Sequence, residues 1–145
     1  MNLKKKDVAV ELRTVIDDDG EKELSIVKQI GTYVKRGQIE VIVFNENSTD
    51  FGKVNNLITI QPDKINIKRS GSIKMNQQFL EGKKTECLYR YPYGSFFMEI
   101  TTMSISHQPL QNDRKGKVTI QYEAKLNDEQ KRYHHLTLTY MEERK

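Results

Sequence analysis

At 145 residues, with 30% charged side chains and a net charge of +4, the chain has the length of one domain, 1–145, that buries a core without disulfides. A single cysteine, Cys87, excludes an internal disulfide, and no apolar run approaches the roughly 20 residues of a membrane helix. The positive charge is spread among acids in small clusters such as Lys4-Lys5-Lys6 and Glu142-Glu143-Arg144-Lys145, whereas a nucleic-acid binder gathers Lys and Arg on one element.

Residues 6–17 alternate as Val8, Val10, Leu12, Thr14 and Ile16, the pattern of a half-buried strand. Asp17-Asp18-Asp19-Gly20 supplies hairpin-turn chemistry; the spaced ligands and closing Glu of an EF-hand calcium loop are missing. The return strand, 22–35, holds Gly31, and its apolar phase slips between Ile26 and Val27, which predicts a bulge. After a turn at Arg36-Gly37, residues 38–45 are apolar on both faces, as in a strand covered on two sides. A polar loop over 45–52 leads to a strand at 53–61 with Val54, Ile58 and Ile60 on one face. Pro62-Asp63 breaks it, and Ile65 and Ile67 alternate on the next strand before Ser70-Gly71. A short strand then starts at Ile73 and Met75 and passes Phe79 to reach Glu81-Gly82.

The densest aromatic cluster comes next. Pro92 presets φ for a β-turn and Gly94 tolerates the left-handed conformation that closes it, so 91–95 reads as a three-residue hairpin loop with a glycine bulge. That register sets Tyr91 opposite Ser95 and Cys87 opposite Glu99. It places Cys87, Tyr89, Tyr91, Phe97, Glu99, Thr101 and Met103 on one face and Glu86, Leu88, Arg90, Phe96, Met98, Ile100 and Thr102 on the other. Glu99 and Arg90 then lie on opposite faces, so at most one of them points into a core. The odd positions of strand 84–91 are the more apolar, so the odd face is expected inside, and Glu99 with it.

The second strand of this hairpin extends to about His107, and 108–115 is a loop. Residues 117–126 alternate with Val118, Ile120, Tyr122, Ala124 and Leu126 inside, and Asn127-Asp128-Glu129 turns into a last strand at 131–141. Seven of the eight glycines (20, 37, 52, 71, 82, 94 and 116) fall at segment boundaries, and no helical periodicity is present. Roughly ten strands with short connections predict an all-β, antiparallel, up-and-down barrel of about eight to ten strands, with a sandwich as the other architecture. Closure favours the barrel because it removes exposed strand edges.

Four segments carry a likeness that covers nearly the whole chain. They are Asn76-Gln77-Gln78-Phe79, Gly82-Lys83-Lys84-Thr85-Glu86-Cys87, Tyr91-Pro92-Tyr93-Gly94 leading into Met98-Glu99-Ile100, and Gly116 before Tyr122. In these residues the chain resembles the YwiB-like family of small uncharacterised bacterial proteins, a domain-of-unknown-function family. The resemblance implies a calycin-like (lipocalin-like) β-barrel. It implies no known activity, so no catalytic residue is carried over. Calycin barrels generally bind small, often apolar, molecules in their interior, but fold does not fix function.

Most chemistry is argued against by the residues themselves. His134 and His135 are adjacent on a strand and face opposite sides, so with His107 and Cys87 they do not build a metal site. No local motif supplies Cys87 with the base and the exposure a nucleophile needs, and no Gly-rich phosphate-cradling run precedes a helix, so no cofactor is expected. Tyr89, Arg90 and Tyr91, with Lys83 and Lys84, resemble a nucleic-acid platform, but the tyrosines and Arg90 alternate across the sheet. Neither nucleic acid nor membrane is an expected partner, and the lone cysteine and the absence of an apolar run after the N-terminal lysines point to the cytoplasm.

What remains is a predicted interior carrying Glu99, Thr101, Tyr89, Tyr91 and Tyr122, with a glutamine from 77–78. Convergent polar groups in an apolar lining make a pocket for one small molecule; a satisfied hydrogen-bond network has the same composition. The expected function is non-covalent binding of a small ligand by these residues. The alternative is a filled-core interaction module acting through its surface or as a homodimer along 39–44. An enzyme using Glu99 as general base comes third.

Overall fold

The computed structural model describes residues 5–48, 52–111, 114–127 and 130–143. Lys4, Arg144 and Lys145 of the terminal clusters, 49–51 of the expected polar loop, 112–113 of the expected 108–115 loop and Asp128-Glu129 of the expected turn lie outside the described residues.

Ten strands follow in chain order: β1 (Lys5–Asp18), β2 (Glu21–Arg36), β3 (Ile39–Ser48), β4 (Gly52–Ile60), β5 (Lys64–Gly71), β6 (Met75–Leu80), β7 (Lys84–Tyr91), β8 (Gly94–Gln108), β9 (Gly116–Leu126) and β10 (Arg132–Glu142). They form one antiparallel sheet ordered β6-β5-β4-β3-β2-β1-β10-β9-β8-β7. Strands adjacent in sequence are thus adjacent in space, and β1 pairs with β10. The two sheet ends, β6 and β7, meet in a seam that makes the barrel nearly closed. There Lys74 and Arg90 exchange backbone hydrogen bonds of 2.8 Å in each direction, and Thr85 Oγ1 donates to the Gln78 carbonyl at 2.6 Å. No helix occurs among the described residues.

The alternation seen in the sequence sends one row of each strand inward. Val8 and Val10, Ile42 and Phe44, Ile58 and Ile60, Ile65 and Ile67, Ile100, Val118 and Ile120, and Leu136 and Leu138 pack together in the interior. Burying each such side chain is worth about 1.5–3 kcal/mol. The β1–β2 turn is Asp19-Gly20, with φ of 54° and 91°, and Asp17 Oδ1 accepts from the Gly20 amide at 3.0 Å. Positive φ at both central residues gives the turn the twist its flanking strands require.

Three local expectations need correction. The bulge expected in β2 is absent: β1 and β2 stay in register from Lys5↔Val34 to Asp18↔Glu21. Gly31 is there for another reason, since a Cβ on it would lie 2.7 Å from the Val43 carbonyl oxygen. The apolar phase slips because β2 carries apolar groups on both faces, Val27 half-buried inside and Ile26 exposed outside. Likewise the outer row of β3 is not covered, as Ile39 and Val43 are exposed, and β3 runs through Ser48 into the stretch expected to be loop.

The largest correction is at the central hairpin. Its loop has two residues, Pro92 and Tyr93, and Tyr91 pairs with Gly94, Tyr89 with Phe96 and Cys87 with Met98. A proline-headed two-residue turn has the wrong hand for a tight hairpin. Gly94, at φ 154°, absorbs the mismatch at the strand's first residue. One residue of slip moves every β8 side chain to the other face. Phe96, Met98 and Ile100 therefore turn inward, and Phe97, Glu99 and Thr101 turn outward. Burial of Ile100 and Met98 outweighs that of Glu99 and Thr101, and this sets the register.

A bulge does occur, in β8: the β8–β9 register shifts between Thr102 and Ser104, so Met103 is the extra residue. Thr102 is buried before it, and Ile105 and His107 take the inward phase after it. Bulges re-aim side chains, and this one turns His107 toward the barrel's end.

Candidate functional site

The inward row of β3 reads Glu40, Ile42, Phe44, Glu46. The turn at Gly37-Gln38 pairs Arg36 with Ile39 and Tyr33 with Ile42, which puts Tyr33 and Glu40 on the same inward face. Glu40 is 1% exposed, an extreme burial for a carboxylate. Four donors meet it. Tyr33 Oη donates to Oε2 at 2.5 Å and the Leu110 amide to the same oxygen at 3.1 Å. Tyr140 Oη donates to Oε1 at 2.7 Å, and His107 Nε2 lies 2.6 Å from Oε1. Burial pushes the Glu40 carboxyl upward, but the bonds from Tyr33, Tyr140, Leu110 and His107 overcome it and hold the group below the ordinary carboxylate value. Burial first, and then the bond to Glu40, raises the Tyr33 and Tyr140 phenols, so both remain donors.

Local sequence explains the arrangement. Gly116 faces Tyr140 across the β9–β10 ladder, and a Cβ there would stand 2.2 Å from the ring. Only glycine leaves room for the ring to reach Glu40 while stacked 5.8 Å from Tyr33. The Met103 bulge supplies His107. Beside the cluster lies an open cleft of about 460 Å³, bordered by Lys35, Glu40, Pro62, Ile105, His107 and Pro109.

The chemistry follows from the lone pairs. Each Glu40 oxygen already accepts two bonds, which makes this carboxylate a poor general base. A carboxylate only accepts, so His107 donates through Nε2, and its ring borders the cleft. Glu40 and the His107 ring both border the cleft, so the buried negative charge stands directly against it.

Of the residues singled out from the sequence, Glu99 lies on the outer face with its carboxylate 3.9 Å from Lys84 Nζ, and its expected inward position is wrong. Thr101 is outside for the same register reason. Tyr89 and Tyr91 are in the inward row, half-buried, and group with Phe96 at the hairpin end; the Tyr91 and Phe96 rings stack at 5.2 Å. Tyr122 is buried between Phe79, at 4.8 Å, and His134, at 4.7 Å. The five do not converge.

Burial raises the Cys87 thiol to about 11, which leaves it protonated at neutral pH. Among the described residues, no three His, Cys, Asp or Glu side chains are grouped to hold a metal ion, and no helix is long and apolar enough to cross a membrane. The Glu40 cluster escaped the sequence reading because its members are far apart in the chain. The available signal was local: with Gly37-Gln38 as a two-residue turn, Glu40 falls in the row of Ile42 and Phe44.

A family model described as a domain of unknown function (DUF1934) matches residues 10–138. The uncharacterized β-barrel protein YwiB of Bacillus subtilis (strain 168) is 31% identical over 134 residues, covering 92% of each chain. The crystal structure of the ywiB protein from Bacillus subtilis matches with a TM-score of 0.86 and 26% identity, over 98% of this chain and 96% of that one. Sequence and ten-stranded barrel agree: the chain belongs to the DUF1934 family of β-barrel proteins.

Proposed function

We propose that the protein binds a small organic molecule non-covalently in the cleft above Glu40, at one mouth of the barrel rather than at Glu99. The observation that carries this is a buried carboxylate, Glu40, that borders the cleft itself and is hydrogen-bonded there to His107. Pre-set polar groups in a partly apolar recess are the ordinary make-up of a ligand site, and the volume falls in the usual range of about 300–1,000 Å³. Pro62, Ile105 and Pro109 offer the apolar wall, the His107 ring a polar edge and Lys35 a cation. The ligand this suits is a small organic acid. Cytoplasmic location belongs to the same proposal, on the evidence of the single unpaired Cys87.

A second reading, self-association, has one observation of its own. Among the described residues β2 pairs with β3 only over 32–36, and Leu24, Ile26 and Ile30 on its outer row are 55%, 45% and 56% exposed. Native mass spectrometry of the freshly purified chain, against its denatured mass, tests both readings. An extra mass that His107→Ala abolishes, while the variant stays folded, is the expected result. A bare monomer with or without His107 refutes ligand binding, and a bare dimer transfers the function to the β2 surface.

A further inference from the structure

The outer face at the barrel seam carries charge that the fold does not neutralise. Lys74 on the segment entering β6 and Arg90 on β7 are directly opposed, joined by reciprocal backbone hydrogen bonds of 2.8 Å. Like charges in opposed positions of antiparallel strands destabilise the pair. Among the described residues they occupy the one backbone bridge between the two ends of the sheet. Register across β5 and β6 sets Lys68 beside Asn76 on the same outer face. A groove of about 500 Å³ follows this surface, bordered by Lys68, Arg69, Ser70, Lys74, Asn76 and Arg90, and no carboxylate lines it. Arg69 is matched to Glu46, but Lys68, Lys74 and Arg90 make no ion pair among the described residues.

We propose that this groove is a binding site for a phosphate-bearing small molecule, whose anionic end bridges Lys74 and Arg90 across the seam. Three unmatched cations call for more than one negative charge, which a diphosphate carries and a single carboxylate does not. Ser70 and Asn76 add neutral donors of the kind phosphate oxygens accept. A nucleic-acid backbone offers the same group, but strand-binding surfaces pair their cations with stacking aromatics. Tyr89 and Tyr91 are on the opposite face of β7 from Arg90, so that platform is missing here. The site is separate from the Glu40 cleft and does not depend on it.

The test uses the whole chain in phosphate-free buffer at low ionic strength, with inorganic pyrophosphate and ADP as probes, read by calorimetric titration and by thermal unfolding. Both probes are expected to bind and to raise the unfolding temperature. The double variant Lys74→Gln/Arg90→Gln leaves the backbone bridge intact. Without a probe it is expected to unfold at the same temperature or higher, because the repulsion is gone. Its affinity for either probe should drop about 100-fold, the loss of two charge-assisted contacts. Any of three results overturns the proposal: no binding by wild type at millimolar probe, equal binding by the double variant, or a single-stranded oligonucleotide binding where neither small probe does.

Discussion

Glu40 and Glu46 begin and end the same inward row of β3, with Ile42 and Phe44 between them, yet the barrel treats the two carboxylates differently. Glu40 draws its partners from far along the chain: Tyr33 is 7 residues away, His107 67, Leu110 70 and Tyr140 100. Every lone pair is filled and no water is needed. Glu46 takes Asn56 and Arg69, only 10 and 23 residues off, on the two strands that follow. Its own side chain is 15% exposed, and the surrounding cluster leaves Asn56 Oδ1 and Arg69 Nε without partners. A carboxylate can be wholly desolvated only where donors from several strands converge, and that convergence exists only once the barrel has formed. The Glu40 end therefore reports on global closure, while the Glu46 end reports on a local β3–β4–β5 meander.

The contrast breaks most directly by substitution. Glu40→Gln keeps the volume but turns an amide NH₂ toward donors, and is expected to cost about 3 kcal/mol in urea denaturation. Glu46→Gln, in a partly solvated pair, is expected to cost about 1 kcal/mol or less. Equal losses would abolish the distinction. Acid sharpens it: Glu40 is held below its ordinary value, so its contribution is complete above an unfolded pKa of about 4.3 and is lost as pH falls through the depressed value. The gap between wild type and Glu40→Gln should hold from neutral pH to about 4 and close below it.

Gly116→Ala attacks the same end through its support. The added methyl collides with the Tyr140 ring, and a loss of about 2 kcal/mol is expected, measured as a fall in the denaturation midpoint with unchanged slope. A loss no larger than a surface substitution gives would mean that Tyr140 reaches Glu40 without glycine's help.

A pH profile separates a histidine from both carboxylates. Burial, with a lesser push from Arg132, lowers His134 to about 4, and it stacks on Tyr122 with Nδ1 unpartnered. Because its folded value lies below the unfolded one, the unfolded chain takes up the proton first, and stability drains as pH falls from about 6.5 to the folded value. His134→Phe should flatten that window by at most about 1.4 kcal/mol per pH unit and leave the lower Glu40 window untouched. An unchanged pH profile would show that His134 takes up its proton equally well in the folded and the unfolded chain.

The sequence revealed the barrel because strand alternation and turn residues are local. Val8, Val10 and Leu12, or Val118, Ile120 and Tyr122, announce their faces within a few residues, and Asp19-Gly20 announces its turn. Sites are assembled from register, and register accumulates error. A single residue misjudged at Pro92-Tyr93-Gly94 sent Glu99 and Thr101 to the wrong side of the sheet. The Met103 bulge, which carries no glycine or proline to mark it, hid the phase that delivers His107. The chemistry anticipated for an inward glutamate beside tyrosines exists, but its glutamate is Glu40, which stood unremarked within an apolar run.

The pairing of β1 with β10 places the first and last strands side by side in the middle of the sheet, and the seam falls within continuous chain between β6 and β7. Sheet order is therefore chain order rotated by six strands. The Glu143 amide already donates to the Asp7 carbonyl at 2.9 Å, so a short linker from β10 to β1 would make one more hairpin. Opening the chain at 81–83 would then give a circular permutant running β7 through β10 and on through β1 to β6. In that permutant every strand would pair with its predecessor and barrel closure would become the meeting of two chain ends. The connection between β6 and β7 thus holds the sheet's least-bonded junction together covalently.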